Sequence, residues 1–317
     1  MTASTMRGLV LDPRAPHSVR LRDDLPVPDP RPGEIRVRVT HSTVNGHELE
    51  LALNPLVRGL GWLRGARGEV RTGLEFSGVV DIGGELFDEG ESVMGYVEIT
   101  AGARPHADYV VIPEIYVAPA PRGMPLAEAA ALPMSALTAL VAITRVARVR
   151  PGHEVLILGA SGGVGVMAVQ IARIVGASVT AVASSPHHDA LHDLGATRTI
   201  DYRNTPVGEL TGRYDAVLDF TSRTDLREVR HLLSANGVFV PADPFRNLGD
   251  VLGSRRAKWL MVDRGDGLRL QRIARWVEAD RLGAVVSEVF EMSDWEAAVA
   301  RSHERGRLGR TVLAFDS

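Results

Sequence analysis

The sequence predicts an α/β chain, with a doubly wound parallel sheet preceded by a β-rich unit of short strands. Three observations carry this. From Pro151 onward, short apolar runs alternate with stretches of helical periodicity, which is the βαβ pattern. Before about residue 120, the pattern has period 2 and is broken by glycine and proline turns. Near the start of the alternating region, "GASGGVG" (Gly159–Gly165) follows a strand and opens a helix.

The elements follow in order. "GEIRVRVTHSTVN" (Gly33–Asn45) alternates Ile35, Val37 and Val39 against Arg36, Arg38 and Thr40, so it is a strand with one wet face. Pro26, Pro28, Pro30 and Pro32 make an extended connector before it. "GLEFSGVVDIGG" and "ESVMGYVEI" are further strands between glycine turns. The character changes near Pro125, where "LAEAAALPMSALTALVAIT" is helical, apolar and interrupted by Pro133. "EVLILG" is a continuous apolar strand of the kind buried on both faces of a parallel sheet. Val164, Ala168, Ile171 and Val175 then mark one face of a helix. "SVTAVAS", "YDAVLDF" and "GVFVPA" are strands, with helices such as "DLREVRHLL" between them. A helix is expected at Leu268–Ala279. After it, "VVSEVFEM", "DWEAAVARSHE" and "RTVLAF" read as strand, helix and strand.

Composition bounds the function. The chain has 317 residues, enough for one large domain or two medium ones. Hydrophobic residues are 45% and charged residues 24%, ordinary for a globular protein. A net charge of -3 gives no reason to expect nucleic acid as a partner. No apolar run is expected to reach the ~18 residues of a membrane span, and the N-terminus has no signal-peptide core, so a cytoplasmic location is expected. The absence of cysteine removes disulfides, thiol catalysis and thiolate zinc sites. Lys258 is the only lysine, so a Schiff-base mechanism would have to use it.

The glycine turn points to a dinucleotide. Ala160, Gly162 and Gly165 occupy the fingerprint positions, with Ala160 in place of the usual first glycine. Gly162 lets backbone approach a pyrophosphate, and Gly165 lets helix and strand pack closely. The pyrophosphate is expected on Ser161, Gly162, Gly163, Val164 and Gly165, at a helix N-terminus. About 20 residues further on, NAD sites carry an acid for the ribose 2′-hydroxyl. Here that place reads Ala183, Ser184, Ser185. Small hydroxyl residues leave room for a 2′-phosphate and donate to it. Tyr202 and Arg203, at the end of the next strand, close over the same phosphate, with Arg203 as the charge partner; the plain alternative is a solvated strand end. The expected cofactor is NADPH.

Together with "VNGHELELAL", "EGESVMG", "ADYVVIP", "AEAAALPMSALTAL", "LGATRTIDYRN" and "GRTVLAF", these stretches resemble the medium-chain dehydrogenase/reductase superfamily. The chain looks most like its zinc-free quinone oxidoreductase and enoyl reductase branch, including the enoyl reductase domains of polyketide synthases. The resemblance implies a Rossmann domain over residues 123–287. It also implies a β-rich, partly open barrel-like (GroES-like) catalytic domain from residues 1–122 and 288–317, with the active site between the two. Zinc alcohol dehydrogenases of the superfamily use a cysteine and a Gly-His-Glu stretch. Here that stretch reads Gly73-Leu74-Glu75, so no metal is expected.

The reaction implied is hydride transfer to an activated C=C bond of an enone or enoyl thioester, free or carrier-bound. Quinone reduction, or a redox-silent relative that binds a nucleotide, are the alternatives. Asn45 matches the asparagine of the family's Val-Asn-x-x-Asp stretch and would lie by the nicotinamide or substrate oxygen; Glu48 replaces the aspartate. Thr138 would contact the nicotinamide end. Where relatives carry a tyrosine as proton donor, this chain has Gly46 and then His47. Tyr96, His47, His106 and Tyr109 are donor candidates by location, with a structural role as the alternative for each. "NPLVRGLGWLRGARGEV" (Asn54–Val70) is a lid or a surface loop. The partners expected are a small-molecule substrate and a second copy in a homodimer, with no nucleic acid and no membrane.

Overall fold

The computed structural model describes residues 5–12, 14–15, 17, 19–45, 59, 71–100, 104–243, 245–262, 264–304 and 306–315. The first part of the chain forms strands β1 (Thr5–Leu11), β2 (Val19–Pro26), β3 (Glu34–Val44), β4 (Glu75–Ile82), β5 (Ser92–Tyr96), β6 (Tyr109–Pro113) and β7 (Val117–Pro119). β1 and β2 pair as an antiparallel hairpin. β3 alternates as its sequence predicts. Ile35, Val37 and Val39 are buried, while Arg36 on the opposite face bonds Asp81 of β4 at 2.6 Å.

Two helices follow, α1 (Leu126–Ala129) and α2 (Pro133–Val141). Pro133 begins α2 rather than breaking it, because the first helical position needs no backbone N–H. One expectation is corrected here. The run Leu126–Val146 is long and apolar enough to cross a membrane, but 67% of its most apolar window is buried inside the molecule. Polar side chains break the run in sequence without disturbing its burial. Thr144, for example, donates to the Leu140 carbonyl one turn back.

The chain then alternates: β8 (Glu154–Leu158), α3 (Gly163–Val175), β9 (Ser178–Ala183), α4 (His188–Asp193), β10 (Arg198–Asp201), β11 (Tyr214–Asp219), α5 (Leu226–Val229), β12 (Leu233–Pro241), α6 (Leu248–Gly253) and α7 (Gly267–Glu278). The five strands form a parallel sheet in the order β10-β9-β8-β11-β12. The order reverses between β8 and β11, and a ligand crevice opens at such a switch point. α3 is buried continuously from Gly165 to Ala172, wider than the single face its periodicity predicts, because α2 packs along it. α5 is shorter than expected: a tight 3₁₀ turn at Arg230–Leu232 leads directly into β12.

The last elements, β13 (Val286–Glu291), α8 (Trp295–His303) and β14 (Arg310–Ala314), return to the first sheet. β14 lies antiparallel to β3, and β13 lies parallel to β14. The mostly antiparallel sheet runs β13-β14-β3-β4-β5-β7, with β6 also on β3. Its end strands β13 and β7 do not pair among the described residues, so it stays open. One apolar core joins both sheets: Leu74, Met94, Tyr96 and Ala118 pack with α2, α3 and the inner face of the parallel sheet.

Candidate active site

The glycine turn sits at the carboxyl end of β8. Gly159 has φ +77°, and a Cβ there would meet the Thr221 methyl at 2.9 Å. Gly165 has no room for a side chain, since its Cβ would fall 2.2 Å from the Gly159 carbonyl oxygen. This is the close helix–strand approach that the fingerprint predicts. Gly162 differs. A Cβ on it would meet only the Gly159 oxygen, at 3.4 Å, so packing within the chain does not require glycine there. Gly162 is exposed, caps α3 in an extended conformation and offers no side chain to the first-turn amides. Ser161 and Val164 flank it, half-buried, and Ala160 is fully buried behind. The turn therefore presents backbone N–H groups and a helix N-terminus outward.

A buried ion pair supports this turn from behind. Glu75, at the start of β4, is fully buried. Its Oε1 accepts from the Thr43 hydroxyl at 2.8 Å and lies 3.4 Å from Arg310 Nε. Its Oε2 accepts from the Met134 amide at 2.7 Å, in the first turn of α2, where a negative charge is favoured. Arg310 Nε donates to the Ser135 hydroxyl at 2.7 Å. A Cβ on Gly163 would strike the Arg310 side chain, 2.2 Å from Nε, so glycine at 163 is what admits the arginine. Arg310 Nη2 is buried and finds no hydrogen-bond partner among the described residues. The main chain joins at the same point: the Gly309 amide donates to the Ser161 carbonyl at 2.8 Å, and Gly162 bridges Gly309. Arg310 and Ser135 are functional candidates that sequence reasoning missed. The signal available was a lone arginine beside a glycine in "GRTVLAF", which periodicity does not connect to residue 163.

At the end of β9, Ser184 is buried and Ser185 exposed. Arg203 reaches Ser185, its Nη2 donating to Oγ at 3.2 Å. The same guanidinium is paired with Asp201 at 2.9 Å, and the Ser185 amide donates to the Asp201 carboxylate at 3.0 Å. Bonds from Arg203 hold the Asp201 carboxyl well below the usual carboxylate range, and Asp201 in turn raises Arg203. Sequence reasoning looked for an acid along β9 and found none. The structure brings one from β10, because the two strands run side by side and Asp201 pairs with Ala183. Tyr202 is 41% exposed.

The other sequence candidates are spread about the junction. Asn45 is half-buried directly after β3. Thr138 is half-buried on α2, one turn after Ser135. Tyr96, expected at the catalytic end, is buried, and its hydroxyl donates to the Val262 carbonyl at 2.8 Å, tying β5 to the segment after α6. His106 is sealed in the core: one ring nitrogen faces the Thr72 hydroxyl at 2.8 Å and the other the Thr43 carbonyl at 2.9 Å. The acceptor carbonyl fixes the tautomer, so Nε2–H donates to Thr43 and Nδ1 accepts from Thr72. Burial pushes the ring down to about 4, against the opposing pull of the Thr43 carbonyl. Both side chains thus serve the scaffold. Tyr109 is half-buried on β6, under the Arg36 guanidinium. Gly46, His47 and Glu48, and the stretch Asn54–Val70 apart from Gly59, lie outside the described residues. Among the described residues, no group of three His, Asp or Glu side chains is placed to hold a metal ion.

Residues 194–313 match the family of zinc-binding dehydrogenases. The chain is 34% identical to erythronolide synthase EryA2 of Saccharopolyspora erythraea over 89% of its length, a match that spans 8% of that synthase. It is 28% identical to the trans-enoyl reductase pgmF of Aspergillus terreus, covering 92% of this chain and 89% of the reductase. The solved quinone oxidoreductase of Coxiella burnetii superposes with a TM-score of 0.85 at 25% identity, over 98% of this chain and 99% of that one.

Two outcomes test the site's physics. Replacing Glu75 by alanine leaves Arg310 charged and buried without its counter-ion, which should cost about 3–5 kcal/mol in urea unfolding. For His106, the folded ring stays neutral down to about 4 while the unfolded ring takes a proton at 6.5. Unfolding therefore gains protons as pH falls, and stability should drop by about 3 kcal/mol from this group between those two values. Denaturation at stepped pH, with His106→Gln as the reference lacking this slope, checks it.

Proposed function

Because the chain belongs to the medium-chain dehydrogenase/reductase superfamily, we propose that it is an NADPH-dependent reductase of an activated C=C bond, in an enone or enoyl thioester. The observation that carries this reading is the outward-facing turn at Gly162, where packing within the chain does not require glycine and the missing side chain leaves room for a ligand. When bound, the nicotinamide supplies a hydride to the β-carbon of the conjugated system.

The chain's own residues do the rest. The N-terminus of α3 and the amides of Ser161–Gly165 hold the pyrophosphate. Thr138 lines the nicotinamide end. The Asn45 amide donates to the substrate oxygen, where charge collects as the double bond is reduced, and needs no change of protonation to do so. Tyr96 and His106 are already engaged, so the proton comes from water, from Tyr109 or from a side chain outside the described residues.

Zinc independence is part of the proposal. The chain has no cysteine, and Gly73-Leu74-Glu75 lacks the histidine. Glu75 is fully engaged by Arg310, Thr43 and the α2 amide. These donors do not fit a zinc site. A homodimer would bury some of the exposed apolar side chains, among them Phe245 and Trp259, whose rings are in contact.

Quinone reduction is the second reading, favoured by the likeness to the Coxiella burnetii enzyme. NADPH consumption with 2-alkenones, enoyl thioesters and quinones, repeated after exhaustive chelation, separates the readings. Enone or enoyl turnover that survives chelation is expected. No NADPH consumption with any of these acceptors would indicate a redox-silent relative, and loss that zinc restores would overturn metal independence.

The 2′-phosphate is assigned to Ser184, Ser185, Tyr202 and Arg203, supported by the Arg203–Ser185 contact. Asp201 favours the competing NADH reading, since a carboxylate at this place suits a free 2′-hydroxyl. Titration should find NADPH bound more tightly than NADH, and Arg203→Ala should remove about 1–3 kcal/mol from NADPH alone. Equal wild-type affinities would favour Asp201.

A further inference from the structure

The return from α8 to β14 reads Glu304-Arg305-Gly306-Arg307-Leu308-Gly309-Arg310. It lies against both turns of the proposed nucleotide site. On the ribose side, His187 Nε2 meets the Gly306 carbonyl at 2.8 Å, and a Cβ on Gly306 would come within 3.9 Å of Ser184 Oγ. On the pyrophosphate side, the Gly309 amide donates to the Ser161 carbonyl. Arg307 stands between these two anchor points.

Its charge is the odd one in the group. Arg301 is paired with Glu288 at 3.2 Å and with Glu304. Arg310 is paired with Glu75. Arg307 donates through Nε to the Glu304 carbonyl at 3.0 Å and through Nη1 to the Thr311 hydroxyl at 3.5 Å, both neutral acceptors. Among the described residues it makes no ion pair. Burial first, and then repulsion from Arg310 and Arg301, lower it to about 10, against a weaker pull from the Glu304 carboxylate. That carboxylate is already paired with Arg301, so a half-buried guanidinium beside two like charges gains when an anion joins it. The anion that fits a planar donor set between two dinucleotide turns is a phosphate.

We infer that Arg307 is a phosphate ligand of the nucleotide site, reaching it from the opposite sheet. This rests on the nicotinamide reading for the identity of the ligand, and it goes beyond it by assigning a residue outside the glycine turn and the Ser184–Arg203 cluster. Because Arg307 belongs to the return strand, phosphate binding there would also clamp the two sheets together.

The test compares wild type, Arg307→Ala and Arg203→Ala by calorimetric titration with NADPH and with NADH, and by thermal melting with inorganic pyrophosphate. Arg307→Ala should weaken nucleotide binding by about ten- to a hundredfold and remove the stabilisation by pyrophosphate. A loss shared by NADPH and NADH assigns the pyrophosphate; a loss confined to NADPH assigns the 2′-phosphate. If the alanine variant folds poorly, Arg307→Gln removes the charge while keeping a donor and carries the same comparison. Unchanged affinities together with unchanged stabilisation by pyrophosphate would overturn the assignment. If pyrophosphate stabilises wild type through Arg307 while neither nucleotide binds, the nicotinamide reading fails and the phosphate ligand stands.

Discussion

A buried carboxylate, Glu75, lies where β3, β4, α2 and β14 converge, and each of its two oxygens is committed. One faces Arg310 and the Thr43 hydroxyl; the other caps α2. A buried charge of this kind is tolerated only when its partners are fixed. Here the partners belong to the open sheet and to α2, so the seating of α2 on that sheet is set by electrostatics as well as by apolar packing. Arg310 passes the constraint on: it lies against Gly163 and bonds Ser135, which fixes the glycine turn relative to the open sheet.

The turn consequently has two faces with separate requirements. Its inner face needs Gly163 and Gly165, one to admit Arg310 and the other to admit the Gly159 carbonyl. Its outer face carries Gly162, with nothing of the chain pressing on it. The three glycines look equivalent in a motif, yet two are set by packing and one is not.

The ribose side has its own balance. Asp201 and Arg203 cancel in charge, and the Ser185 amide and hydroxyl join them. A phosphate arriving there must compete with Asp201 for Arg203. The segment before β14 adds Arg307, which makes no ion pair among the described residues. The charge at this corner is therefore a sum over groups from both parts of the chain.

Local pattern by itself determined much of this protein. Period-2 alternation marked β3, continuous apolar runs marked β8, and the strand–turn–helix context marked the Gly159–Gly165 turn, because each depends only on neighbours in sequence. Burial of the run Leu126–Val146, the reach of Asp201 to Ser185 and the docking of Arg310 on Gly163 were decided by tertiary structure alone. Glu75 and Arg310 are 235 residues apart in the sequence, and no periodicity links them. Tyr96 and His106 show the same limit in reverse: their residue types suit proton transfer, but the carbonyls of Val262 and Thr43 take their hydrogens. Which polar groups a side chain meets is a matter of how distant segments pack, and only the packed chain fixes it.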